Sequence, residues 1–416
     1  MFIFPMKPGK NLYLVMLGIF GVMIPALSAS SQIPFQVSFH GFVNYELFFD
    51  TRQTETGREG NVLLFPSAEN PDPEGVDLNA HPSFQMSLLS SRLQAAIKGP
   101  EVLGAESSAL FEVDFLGTGP SMFNHIRMRH AKVQLDWEQT SLIAGQYWHP
   151  LFVTSCYPGV IHFGGGVPYN VLNRSPQLRL THKSGAWSSM IALLGQSDFA
   201  STGPQGKSSV YLRNSGIPET WGQIIFEHEN FMAGASAGVL SLQPQTQTPN
   251  GYKTSERMTS LGGNLFFKLH LESFDIKAQG TLGENMNHLV MLGGYGEAGL
   301  IDAEKNTYSY SGIRSLSSWI DLGESTGKWR SGIFGGFSKN LGSTREIEGT
   351  SWVRGGNISY IYRLAPRLGY FTGNTCFHIE LIYDVAAYGT PDGHFNFGET
   401  TPIANLRTLG TIKYSF

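Results

Sequence analysis

Charge is scarce in this chain. Only 15% of its 416 residues are Asp, Glu, Lys or Arg, against about 25% in an ordinary soluble domain. A surface so short of charge avoids water over much of its area. Cysteine is scarcer still. Cys156 and Cys376 are too few for a disulfide framework, although they could pair in an oxidising compartment, and the sequence leaves that open. A net charge of -4 gives no support to nucleic-acid binding, and no such partner is expected. Beyond the N-terminal run, no segment reaches the ~18 consecutive apolar residues that a transmembrane helix needs. Acid is absent altogether from residues 139–197, in a chain that carries 33 acids.

What is present begins with Lys7 and Lys10, an apolar run from Leu12 to Leu27, and the small residues Ser28, Ala29 and Ser30. This is the layout of a secretory signal peptide, expected over 1–30, with one domain over 31–416. Glycine (49 residues) and aromatics (12%) are plentiful, and mean hydropathy is near neutral at -0.11. A β-barrel hides its membrane character in this way, because lipid-facing and lumen-facing residues cancel in any average.

Period-2 alternation marks both ends of the domain. Phe35, Val37, Phe39, Gly41, Val43, Tyr45, Leu47 and Phe49 alternate with Gln36, Ser38, His40, Asn44, Glu46 and Asp50. At the C-terminus, Leu406, Gly410, Ile412, Tyr414 and Phe416 alternate with Arg407, Thr411, Lys413 and Ser415. Each reads as a strand with one apolar and one wet face. The first is far longer than the roughly 5–6 residues of a soluble strand and suits a tilted membrane span.

Between them, strand-like segments recur near 83–98, 105–117, 123–137, 140–148, 176–184, 186–197, 220–229, 230–243, 257–270, 271–283, 314–323, 327–338, 351–364 and 374–388. Short connections alternate with long ones, and the last short one is expected at 365–373. The fold class is therefore all-β: a transmembrane antiparallel barrel of about 16 strands, with tight periplasmic turns and longer external loops. Two strands break the pattern. Apolar parity shifts between Leu88 and Leu89, which a bulge would explain, and Arg127 and Arg129 share parity with Ala131, Val133 and Leu135, so either a bulge intervenes there or part of that face does not meet lipid.

The wording RHAKVQLDW (129–137), GQYWHPLF (145–152) and NRSPQLRL (173–180) resembles trimeric sixteen-stranded porins of the DcaP type. The resemblance implies localisation in the outer membrane of a Gram-negative bacterium, contact with its lipid, and a homotrimer. It implies an inward-folded third external loop, which falls here on 148–175, a stretch rich in aromatics and carrying Gly164, Gly165 and Gly166. It also implies that the terminal Phe416 is read by the barrel-insertion machinery. The expected function is passive diffusion of small hydrophilic solutes through a water-filled channel. The alternative is a substrate-specific uptake channel, receptor or adhesin on the same barrel.

The candidate pore-constriction residues are Arg92, Arg127, Arg129, Arg174, Arg179 and His149. Their cationic excess, beside a loop without acids, points to anionic or neutral solutes, because charged rings in a pore select by sign. The competing account has these arginines snorkel at the membrane interfaces or pair with Glu112 and Asp114 on the adjacent strand. No catalytic residue, cofactor or metal is expected. Gly294, Gly296 and Gly299 spell G-x-G-x-x-G without the following helix that a nucleotide site requires. His378 and Glu380 share a face but are too few for a zinc site, and the Ser, His and Asp residues are too scattered to support an enzyme. The acidic loop 51–82 reads as solvated, or as a latch onto a neighbouring subunit.

Overall fold

The computed structural model describes residues 35–119 and 121–416; the expected signal peptide lies outside them. Sixteen antiparallel strands among these residues form a closed barrel. They are β1 (Gln36–Asp50), β2 (Ser83–Ser87 continued by Arg92–Lys98), β3 (Glu106–Asp114), β4 (Arg127–Asp136), β5 (Thr140–Trp148), β6 (Arg174–Ser184), β7 (Trp187–Leu194) and β8 (Glu219–His228). The second half is β9 (Phe231–Leu242), β10 (Met258–Leu271), β11 (Phe274–Glu284), β12 (Thr307–Glu324), β13 (Trp329–Ser343), β14 (Ile358–Thr372), β15 (Thr375–Tyr388) and β16 (Thr401–Ser415).

Each strand pairs with its neighbours in sequence, and β1 closes on β16 from Phe42↔Ser415 to Asp50↔Arg407. Phe416 completes the seam by exchanging two 3.0 Å backbone hydrogen bonds with Gly41. Closure removes the unpaired edges that lipid would not tolerate.

Alternation decides which face each residue takes. In β1, Val37, Phe39, Val43 and Phe49 are exposed on the outer wall, while Asn44, Glu46 and Asp50 are buried on the inner one. Exposed aromatics gather at the periplasmic turns, with Trp187 5.0 Å from Phe226 and Trp329 4.8 Å from Tyr370. This is the interfacial girdle of a membrane barrel.

The two irregular strands behave as the parity shifts imply. β2 is interrupted at 88–91, and the outward set changes from Phe84 and Met86 to Leu93. In β4, Glu112 faces His130 and Val113 faces Met128, so Arg129 is the extra residue of a bulge. The bulge turns both Arg129 and His130 to the inner wall, where each is buried.

Two expectations fail. The strand expected at 351–364 with a turn at 365–373 is instead β14, ending in a tight turn at Gly373 (φ 53°). Pro366 looks like a breaker, yet the ladder keeps one register across it, from Leu364↔Tyr383 to Arg367↔Glu380. Ser351–Arg354 forms a separate short strand that pairs with Gly293–Gly296 above the barrel.

The loop 51–82 is not simply solvated. It contains a ribbon, Thr54–Gly57 paired with Val62–Pro66, and Val62, Leu63, Leu64 and Phe65 are all buried. They form one apolar core with Val153, Val167, Tyr169 and Leu172 from the segment 149–173, and with Phe334, Ile361, Ile382 and Ala386 of the wall. Burying such a side chain contributes about 1.5–3 kcal/mol. The run Val62–Phe65 was the sequence signal for this, hidden among six acids.

Candidate functional site

Segment 149–173 meets the inner faces of strands far from it in sequence. Ser317 of β12 donates to the Tyr169 carbonyl at 3.0 Å, and Trp319 Nε1 donates to Asn170 Oδ1 at 3.2 Å. Glu380 of β15 accepts from the His162 backbone and lies 2.8 Å from its Nδ1. The closest approach is at Gly336, where a Cβ would lie 2.5 Å from the Tyr169 ring. Only glycine lets the wall and the loop pack this tightly.

Cys156 is also in this segment. Its Sγ donates to the Phe267 carbonyl at 3.1 Å, and burial pushes its thiol up to about 11. Both cysteines are free.

The loop base is fixed by one carboxylate. Glu219 Oε1, fully buried, is approached by His149 Nε2 (3.0 Å), His288 Nε2 (3.2 Å) and Trp221 Nε1 (2.7 Å). Sequence reasoning picked His149 and missed Glu219 and His288, which are 70 and 69 residues from their partners. The three could suggest a metal site. However, His149 Nδ1 accepts the Leu151 N–H at 3.2 Å, which puts the ring proton on Nε2, the atom a metal would need. The cluster is a hydrogen-bonded hub, and burial holds His149 below its ordinary pKa, in the neutral form that this geometry requires.

The arginines divide into two groups. Arg127 and Arg129 are paired: Arg127 with Asp114 at 2.6 Å, and Arg129 with Asp114 at 3.0 Å and with Glu112. For these two the pairing account is correct. Arg92 and Arg174 have no carboxylate within 4.0 Å among the described residues. Arg174 is 2% exposed, its guanidinium lies 5.0 Å from the Trp148 ring and 5.1 Å from Phe199, and Nε and Nη1 meet no protein acceptor. Arg179 donates to Gln177 Oε1 at 2.9 Å and to the Trp148 carbonyl.

These side chains border a series of cavities. The outermost, about 180 Å³, is lined by Arg58, Arg127, Arg174, Lys207 and Arg354 with Phe163, Leu172 and Phe199. It shares Phe163, Leu172 and Arg174 with a middle cavity of about 340 Å³ that adds Arg92, Arg129 and Trp148. Neither lining includes an Asp or Glu among the described residues. The middle cavity shares Arg92, Tyr157 and Phe163 with a lower one of about 550 Å³, where Lys277, Arg330, Arg367 and Lys413 face Glu46, Asp275, Asp321 and Glu324. Low-dielectric walls strengthen the field in such a passage. Arg179 and His149 line none of the three cavities and act instead on the loop base.

Other sequence features stay structural. Gly294, Gly296 and Gly299 lie on a strand hairpinned to β12, not in a strand–turn–helix. His378 lies beside Thr411, while Glu380 engages His162.

No protein-family model and no curated protein matches the sequence. Among solved structures, the outer membrane channel DcaP of Acinetobacter baumannii superposes with a TM-score of 0.67 at 15% identity, covering 92% of this chain and 97% of that one. OmpT of Vibrio cholerae in its trimer form gives 0.55 at 11% identity, over 92% and 99% of the two chains. The anion-selective porin from Comamonas acidovorans gives 0.55 at 10% identity, over 92% and 100%. The chain has the closed sixteen-stranded fold of the porins and resembles DcaP.

Proposed function

We propose that this protein is a porin of a Gram-negative outer membrane that passes small hydrophilic solutes by diffusion and favours anions. The observation that carries the reading is Arg174, buried and without a carboxylate partner, at the junction of two cavities whose linings hold five and three basic residues and no acid. An unpaired buried cation is costly unless something compensates it, and a passing anion does so at low cost to itself. Arg92 continues the series below, and segment 149–173 sets the width. The superpositions on the DcaP channel and on the Comamonas acidovorans porin support the general role, and the one on OmpT in its trimer form supports a trimer. The apolar outer wall supports contact with lipid, and reading of Phe416 by the barrel-insertion machinery rests on the resemblance to the porin family.

The test is conductance of the refolded protein in planar bilayers under a KCl gradient. Wild type should give a reversal potential on the anion side, and Arg174→Gln should shift it towards zero. An unchanged potential in that variant would remove Arg174 from the path.

A specific uptake channel is the second reading, favoured by the guanidinium held between Trp148 and Phe199. Saturable block of the conductance by one solute distinguishes it from a general porin. A membrane enzyme would instead show turnover abolished by a single Ser or His change.

A further inference from the structure

The ribbon of the first external loop is stitched into the barrel by groups that no open channel needs. Arg363 Nη2 lies 3.3 Å from both the Leu63 and Leu64 carbonyls, and Arg407 Nη1 donates to the Gly60 carbonyl at 2.8 Å. Tyr388 donates its hydroxyl to the Pro66 carbonyl. These anchors come from β14, β15 and β16, so the ribbon is held against an extended arc of the inner wall.

Its tip is strained. Arg58, Glu59 and Gly60 follow one another with φ of 56°, 55° and 78°. The left-handed region is unfavourable for the first two, and such strain persists only where the surroundings fix it. The result is that Arg58 enters the outermost cavity, beside Thr56, Val62 and Leu64 of the same ribbon and opposite Arg174 and Arg354. One carboxylate, Asp198, serves Arg58 (2.7 Å), Arg127 (3.4 Å) and Lys207 (3.7 Å). Arg354, from the short strand above the barrel, has no carboxylate partner within 4.0 Å among the described residues, and its Nε meets no acceptor. Arg127 also has Asp114 at 2.6 Å, so five cations meet two acids here and the cavity keeps an excess of positive charge.

We propose that the loop 51–82 is a second filter element, acting beside segment 149–173, and that Arg58 is a specificity-determining residue that an anion from outside meets before it reaches Arg174. The proposal rests on the anion-favouring channel proposed above. The run Val62–Phe65 packs the ribbon into the apolar core, and Thr56, Arg58, Val62 and Leu64 supply one wall of the cavity that remains. Charge at the narrow outer cavity acts on every ion that passes.

Two variants test it, each checked for folding by its heat-dependent mobility on gels. Arg58→Gln removes the charge and should lower the anion-to-cation permeability ratio about threefold, with little change in conductance. The double variant L63S/L64S removes the apolar anchor and should at least double the single-channel conductance. If wild type is anion-selective and R58Q leaves the ratio unchanged, the ribbon lies outside the path and the inference is overturned. If wild type prefers cations, the channel reading beneath it fails instead. Should the double variant not fold, R58Q alone decides.

Discussion

Arg363 and Asp384 face each other on β14 and β15 with Nε 2.6 Å from Oδ1, both side chains fully buried. The same guanidinium contacts the Val167 carbonyl at 2.9 Å, His162 Nε2 at 3.1 Å, and the carbonyls of Leu63 and Leu64. One side chain therefore joins the wall to both loops that occupy the lumen. Breaking a buried pair by removing one partner costs about 3–5 kcal/mol, so Arg363→Met should lower the unfolding midpoint in a heat-mobility assay and enlarge the conductance. Conductance equal to wild type would mean that the loops stay in place without it.

Gly336 tests the packing by the opposite route. A methyl group there would collide with the Tyr169 ring. Gly336→Val should push segment 149–173 off β13 and raise the conductance while the barrel still folds. Overpacking of this kind costs about 1–3 kcal/mol, well within what the hydrogen-bonded wall tolerates.

Glu219 should behave as a structural keystone. Three donors converge on its Oε1, and Glu219→Gln replaces bonds to a charged acceptor, each contributing roughly 1.5–3 kcal/mol, with neutral ones contributing about 0.5–1.5. The expected outcome is a lower unfolding midpoint and a noisier open channel, with selectivity unchanged because the residue lines no cavity among those described. A change in ion preference without a change in stability would contradict that role.

The same hub gives a pH dependence of known sign. Burial lowers the His149 pKa below its ordinary 6.5. The unfolded ring takes up a proton near that pH and the folded ring does not, so stability contributed by the neutral ring is lost as pH falls below about 6.5. Unfolding midpoints compared at pH 7.5 and 5.5 should drop in wild type, and drop less in His149→Gln, which retains an acceptor for Leu151.

The cysteines separate cleanly by exposure. Cys156 is buried, while Cys376 is part-exposed and borders the lower cavity. A thiol reagent added from the periplasmic side should label Cys376 and reduce the current. Cys156 should react only after unfolding, and mobility on non-reducing gels should match that on reducing gels.

Much of the wall was legible in the sequence because a strand at a lipid boundary must alternate, and each residue's face follows from its parity alone. Val37 and Asn44 could be assigned to opposite faces without coordinates, while the conflict of parity at Arg129 allowed either a bulge or a face away from lipid, and the strand pairing decides for the bulge. The turn expected at 365–373 fails because the ladder on either side carries Pro366 within one register. The contents of the lumen were beyond sequence reasoning. Whether Arg129 or Arg174 keeps a free charge depends on which carboxylate lies near it, and Arg174 differs from Arg129 only in lacking one. The Glu219 hub and the Arg363 junction bring together residues as far as 70 and 300 positions apart, and no periodicity encodes such meetings. The sequence by itself determined a sixteen-stranded wall and its two faces, since those follow from local alternation under the demand that lipid places on the backbone. The tertiary structure alone decided which loops enter the barrel and which arginines remain unpaired, since both depend on packing between segments that the chain brings together only on closure.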